Sequence, residues 1–282
     1  MLFVGASMIN MSFLVKQLVE RADIIMNKTK IDWVDMTWNP ITGCRYGCRY
    51  CYARKIAERF APRMSNGEIA VSAQCELVRG KSVAFPYGFT PTLYEKRLDE
   101  PAKIKKSQNI FVCSMADLFG DWIPDEWIDR VLSVCEQNPQ HNYLFLTKNP
   151  TRYPEGYQSD PQPKNLWFGS TITTHDDDYT ANKSVTHPCA NYFVSIEPIH
   201  GDIFKNRIDE LFFRRLNWVI VGAETGNDPH KIVPKKEWID KIVRNCREAN
   251  IPLFMKESLK DLMGDEFVQE LPDGLRDRKS VV

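Results

Sequence analysis

At 282 residues and 43% hydrophobic content, the chain is long enough to bury a large core within one α/β domain. Its 37 basic and 37 acidic residues cancel, which excludes an overall field drawing it to nucleic acid or membrane, so any polyanion site must be local. No stretch reaches the roughly 18 consecutive apolar residues of a bilayer span, and eight cysteines in a chain this long fit a reduced cytoplasmic protein better than a secreted disulfide framework.

Residues 1–27 are expected to form an added helical extension, with a helix from Met8 to Met26 presenting Phe13, Leu14, Leu18 and Ile25 on one face. The segment lacks the basic start of a signal peptide, and Asn10 and Ser12 interrupt its apolar run. The main domain then covers residues 28–282. A short strand is predicted between Trp38 and Thr42, followed by a cysteine-bearing loop and a helix from Tyr52 to Met64. Residues 65–108 read as an excursion, with turns at Phe85-Pro86-Tyr87-Gly88 and Thr90-Pro91 and a solvated helix over the charged run from Glu95 to Lys106.

From Asn109 onward the pattern becomes regular. Apolar runs of strand length recur at Ile110 to Ser114, Tyr143 to Thr147, Leu166 to Thr171, Tyr192 to Ile196, Trp218 to Val221 and Pro252 to Met255. Helical patterns lie between several of them, clearest at Asp125 to Gln137 and Lys235 to Ala249. Such alternation predicts a parallel sheet with its helices outside, in six or seven β/α units.

Chemistry concentrates at Gly43-Cys44-Arg45-Tyr46-Gly47-Cys48-Arg49-Tyr50-Cys51-Tyr52, where three thiols stand at C-x3-C-x2-C spacing. Thiolates suit iron–sulfur clusters or zinc. A structural zinc site wants four ligands, and the next cysteine and the nearest histidine are the distant Cys75 and His141. Three ligands to a cuboidal cluster would leave one iron open. A zinc- or cluster-stabilised nucleic-acid-binding module is the alternative, because Arg45, Tyr46, Arg49, Tyr50, Tyr52, Arg54, Lys55 and Arg59 are the mixture that binds phosphates and stacks bases.

The polar residues that follow the apolar runs form a second pattern, because a parallel barrel keeps its chemistry at the C-terminal strand ends. Ser114 and Asp117, Lys148, Thr171 and Thr173, Glu197, Glu224 and Lys256 all stand there. Lys148 and Lys256 either grip an anionic ligand or pair with Glu197 or Glu224. Gly222 offers a place for a ligand to approach the backbone, although neither G-x-G-x-x-G nor a Walker motif occurs. His141, His175, His187, His200 and His230 show no metal-like pairing and read as surface or loop residues, and Cys113, Cys135 and Cys246 read as free buried thiols.

The triad Cys44, Cys48, Cys51 with Tyr50 before the last cysteine resembles the signature of the radical S-adenosylmethionine superfamily. The likeness widens with Trp33 and Trp38-Asn39-Pro40, Ser114-Met115-Ala116-Asp117-Leu118-Phe119, Leu146-Thr147-Lys148, Ser195-Ile196-Glu197-Pro198 and the run from Val219 to Gly226. Together these resemble a phage-associated branch of that superfamily carrying a domain of unknown function and distantly like spore photoproduct lyase. The resemblance implies a partial (β/α)6-type TIM-like barrel and a 4Fe-4S cluster on the three cysteines. It also implies S-adenosylmethionine bound by strand-end residues, with Ser114, Asp117, Lys148, Thr171, Glu197, Gly222, Glu224 and Lys256 as candidates. A one-electron reductant such as flavodoxin or ferredoxin and a substrate, with nucleic acid a candidate, would complete the system.

Overall fold

The computed structural model describes residues 26–60, 70–72, 77–78, 81–82, 85–154, 163–175, 191–205, 207–226 and 230–276. In chain order the strands are β1 Asn27–Lys28, β2 Met36–Trp38, β3 Ile41–Thr42, β4 Ala70–Ser72, β5 Leu77–Val78, β6 Lys81–Ser82, β7 Thr92–Tyr94, β8 Asn109–Val112, β9 Asn142–Thr147, β10 Leu166–Ile172, β11 Tyr192–Ile196, β12 Trp218–Val221 and β13 Leu253–Met255. The main helices are α1 Tyr52–Phe60, α2 Asp125–Gln137, α3 Arg207–Phe213 and α4 Lys236–Ala249. One sheet runs in the order β1-β2-β8-β9-β10-β11-β12-β13. Only β1 is antiparallel to its neighbour, so seven parallel strands curl into a half-barrel. The expected partial barrel is therefore present. Among the described residues, no helix is long and apolar enough to cross a membrane.

Side chains alternate between the two faces of each strand, and the register carries that alternation across the sheet. Phe111 pairs with Leu144, Leu144 with Trp167, Gly169 with Phe193, Phe193 with Trp218 and Ile220 with Phe254. These residues, with Trp33 from the β1–β2 loop, pack as one buried cluster inside the curl. The ring centroids of Trp33 and Phe111 are 4.9 Å apart, and those of Phe193 and Trp218 are 5.5 Å apart. The opposite parity, Ile110, Val112, Tyr143, Phe145, Phe168, Val194 and Val219, packs in a second cluster with Trp127, Val131 and Leu132 of α2 and Ile239 and Ile242 of α4. Helices thus cover the outside, as the alternation predicts.

Three expectations are corrected. The strand before the cysteines is two strands, broken at Asn39-Pro40, where proline removes a ladder donor: β2 joins the half-barrel, and β3 pairs with β7 in a separate three-stranded sheet. The run from Glu95 to Lys106 is two short 3-10 turns, Glu95–Asp99 and Pro101–Lys103, rather than one solvated helix. Arg97 is the cause of the burial there, because its guanidinium lies 3.8 Å from the Tyr94 ring centroid and donates to the Asn39 carbonyl, while Trp38 Nε1 donates to the Arg97 carbonyl. His141 is buried rather than on the surface: Nδ1 accepts the Gln108 N–H, and Nε2 lies 3.2 Å from the Pro101 carbonyl. The expected N-terminal helix and the end of the predicted helix at residues 61–64 fall outside the described residues. Cys113, Cys135 and Cys246 are free and buried, as read.

Gly169 sits inside the curl where a Cβ would stand 2.4 Å from the Phe193 ring. A Gly169→Ala change is expected to overpack this layer and cost about 1–3 kcal/mol, read as a lowered midpoint in chemical denaturation.

Candidate active site at the mouth of the half-barrel

The cysteine loop is held from both ends. Gly43 donates its N–H to the Met115 carbonyl at 2.9 Å and bridges to Ala116 just beyond β8. Its φ of 91° and the Thr90 carbonyl oxygen, 2.3 Å from where a Cβ would be, leave room for glycine alone. At the other end Cys51 opens α1: its carbonyl accepts from Lys55 N–H, and its Sγ accepts the Arg54 N–H at 3.3 Å, the position a capping oxygen would take. The Arg54 guanidinium returns to the Cys44 carbonyl at 3.0 Å. Cys44 Sγ accepts the Tyr46 N–H. Burial pushes the Cys44 thiol up to about 12 against that bond, and Asp117, Cys48 and Cys51 add like-charge repulsion. The three thiols are therefore electrostatic neighbours.

All three cysteines border one cavity of about 360 Å³ inside the half-barrel. Trp33, Ile31, Phe111 and Leu146 make its apolar part. The polar part comes from strand ends on the inward parity: Lys148 follows Leu146, Thr171 follows Gly169, Glu197 follows Ser195, and Lys256 follows Phe254. Lys256 Nζ and Glu197 Oε1 form an ion pair at 2.9 Å. Gly222 does not line the cavity; a Cβ there would come within 3.2 Å of the Lys256 side chain, so its missing side chain makes room for the lysine stem. The Lys148 ammonium lies 5.8 Å from the Tyr50 ring centroid, and no described carboxylate comes within ion-pair distance of it.

Glu224 and Asp117 are committed to the protein. Glu224 has a side chain only 2% exposed, and its Oε2 takes both Arg49 at 3.1 Å and His200 Nε2 at 3.0 Å. Arg49 stands between Cys48 and Cys51, so this pair ties the cysteine loop to the end of β12. Asp117 accepts from the Thr147 hydroxyl at 2.6 Å, Phe119 N–H at 3.1 Å and Lys148 N–H at 2.9 Å. Burial holds its carboxyl above the ordinary aspartate range against those bonds. Ser114 Oγ meets Asn39 Oδ1 at 3.1 Å, which also accepts Met115 N–H, and the Ser114 carbonyl accepts the Tyr52 hydroxyl.

A family model described as protein of unknown function (DUF5131) matches residues 28–264. The chain belongs to that family. No curated protein matches it. Among solved structures, spore photoproduct lyase complexed with dinucleoside spore photoproduct is similar at 10% identity over 82% of this chain and 78% of that one, with a TM-score of 0.44. A double mutant of the same lyase with bound AdoMet and dinucleoside spore photoproduct shares 10% identity over the same proportions, with a TM-score of 0.48. The likeness is one of fold.

In this DUF5131 protein the strand-end residues named from sequence gather at one cavity, Gly222 and Thr173 excepted, together with Cys44, Cys48 and Cys51. His200 and Arg49 were not singled out as partners of Glu224. The signal for His200 was its place three residues after Glu197, just past a strand end; its ring also stands edge-on to Tyr50 at 5.5 Å. His175 lies against Asp209 at 3.3 Å and does not border the cavity, and residues 176–178 beside it fall outside the described residues. Among those residues, no group of three or more His, Cys, Asp or Glu is arranged to hold a single metal ion.

Replacing Asp117 with Ala would strand three donors from two loops in a buried setting. At about 1–3 kcal/mol for an unsatisfied group, Asp117→Ala is expected to lose at least 3 kcal/mol of stability, measured by urea denaturation.

Proposed function

We propose that this protein is a radical S-adenosylmethionine enzyme that carries a 4Fe-4S cluster on Cys44, Cys48 and Cys51. The observation that carries the reading is the shared cavity: three cysteines and a set of inward polar strand ends line the same space. The donor set fits. Thiolate sulfur is the usual ligand of such clusters, and backbone N–H bonds to sulfur, here from Tyr46 and Arg54, tune them. A cluster offers a different iron to each thiolate, so its ligands need not converge on one ion. A single-ion arrangement is absent among the described residues, and a cluster does not require one.

When bound, the cluster and S-adenosylmethionine supply reductive cleavage of the latter to methionine and a 5′-deoxyadenosyl radical. The chain's own residues position and shield. Lys148, the cavity lysine without a carboxylate partner among the described residues, would take the ligand carboxylate. Glu197, fixed by Lys256, and the Thr171 hydroxyl would receive hydroxyl groups of the ligand. Asp117 and Ser114 hold the β8 and β9 loops in place, and Glu224 anchors the cysteine loop through Arg49. The apolar walls of Trp33, Phe111 and Leu146 would keep water from a reactive carbon radical.

After anaerobic reconstitution, about four irons and four sulfides per chain are expected, and Cys48→Ala should retain neither at the site. Reduced protein given S-adenosylmethionine should form 5′-deoxyadenosine, detected by liquid chromatography. One zinc per chain without labile sulfide would defeat the reading. Lys148→Met should weaken S-adenosylmethionine binding about tenfold with iron content unchanged, in line with the loss of one charge-assisted contact of about 1.5 kcal/mol.

A further inference from the structure

Charge is balanced over the chain but not near the cysteines. Residues 43–60 hold five basic side chains (Arg45, Arg49, Arg54, Lys55, Arg59) and one acidic, Glu58. Two of the five are turned to internal tasks: Arg49 binds Glu224, and Arg54 binds the Cys44 carbonyl and Glu58. Lys55 and Arg59 are exposed on α1. Tyr52, Lys55, Ile56 and Arg59 are spaced i, i+3, i+4, i+7 and therefore share one helix face. On that face Tyr52 and Ile56, 51% and 40% exposed, make an apolar side and Lys55 and Arg59 a basic edge, with the Tyr52 hydroxyl held by the Ser114 carbonyl. The opposite face, Ala53 and Ala57, packs with Phe89 against Cys44 and Cys51. One helix, about 10 Å across, is all that separates the basic stripe from two of the thiols.

Resting on the radical S-adenosylmethionine reading above, we infer that this face of α1 is the docking site for a small acidic protein that delivers single electrons. Charge complementarity sets the sign of the partner. The size and make-up of the patch set its kind. A nine-residue helix offers about 13 Å of length, which suits the small interfaces of electron-transfer encounters. Exposed apolar side chains bordered by charge suit a protein contact, whereas a nucleic-acid strand is tracked by a longer basic groove. The electron balance is simple. The reduced carrier loses one electron; S-adenosylmethionine gains it as its sulfur–C5′ bond breaks and methionine departs; and the adenosyl carbon takes a hydrogen atom from a substrate C–H bond, leaving 5′-deoxyadenosine and a substrate radical.

The test uses the full chain and flavodoxin as probe. Lys55→Glu/Arg59→Glu is expected to slow 5′-deoxyadenosine formation about tenfold or more when reduced flavodoxin is the sole donor, and to leave the dithionite-driven rate unchanged. Calorimetric titration with oxidised flavodoxin should show salt-sensitive binding to the wild type, with or without cluster, that the double variant loses; Lys55→Gln/Arg59→Gln should fall between the two. An unchanged flavodoxin rate, or an equal loss with both donors in the Gln variant, overturns the inference. So does loss of single-stranded oligonucleotide retention with flavodoxin binding intact, which would give the face to nucleic acid. A wild type that makes no 5′-deoxyadenosine with dithionite defeats the proposed function instead, and flavodoxin binding still reads the docking face independently.

Discussion

Alternation along a pleated strand decides which residues can meet in this molecule. Because parallel register couples each strand to the next, a single parity choice at Phe111 fixes Leu144, Trp167, Phe193, Trp218 and Phe254 on the inside together. Two residues further on, the same parity brings Leu146, Ser195 and Lys256 to the cavity wall, and another step brings Lys148 and Glu197. Aromatic packing deep in the curl and polar chemistry at its mouth are therefore one constraint seen at two depths. A one-residue slip would turn both outward.

The cysteine loop crosses that mouth on a few specific ties. A carboxylate as enclosed as Glu224 persists only when paired, and its partners, Arg49 and His200, come from the cysteine loop and from the segment after β11. Gly43 supplies the other tie, since no side chain fits against the Thr90 carbonyl. The loop is thus located by contacts from β8, β11 and β12, which explains how three closely spaced cysteines come to stand over the ends of strands far from them in sequence.

Strand identity and the site's location were legible because both depend on local pattern. Tyr192–Ile196 and Trp218–Val221 match their apolar runs to the residue, and Asp125–Gln137 matches its helical period. What sequence could not give were facts fixed by partners distant in the chain. Arg97 looked like one more charge in a solvated run, yet Tyr94 and Asn39 draw it inside. Asp117 looked like a ligand contact because it stands at a strand end, but three protein donors occupy its carboxylate. Gly222 looked like a place for a ligand to reach the backbone, and the nearest group is the stem of Lys256. Residue type announced charge at Arg97 and Asp117 and backbone freedom at Gly222, and only the fold showed what each served.

Ion pairing leaves the cavity few unbalanced charges. Lys256 is neutralised by Glu197 and Arg49 by Glu224, while Asp117 is surrounded by neutral donors and a more distant Lys148. The enclosure that lifts the Cys44 thiol makes its thiolate costly, and nearby Cys48, Cys51 and Asp117 add to that cost. A bound metal removes that cost by displacing the protons, and low dielectric strengthens the attraction that replaces them. Lys148, whose ammonium lies 5.8 Å from the Tyr50 ring of the cysteine loop, has no described carboxylate within ion-pair distance and favours an anionic group beside it. An anionic group beside Lys148 and an apolar one against Trp33, Phe111 and Leu146 would each meet a complementary part of the cavity lining.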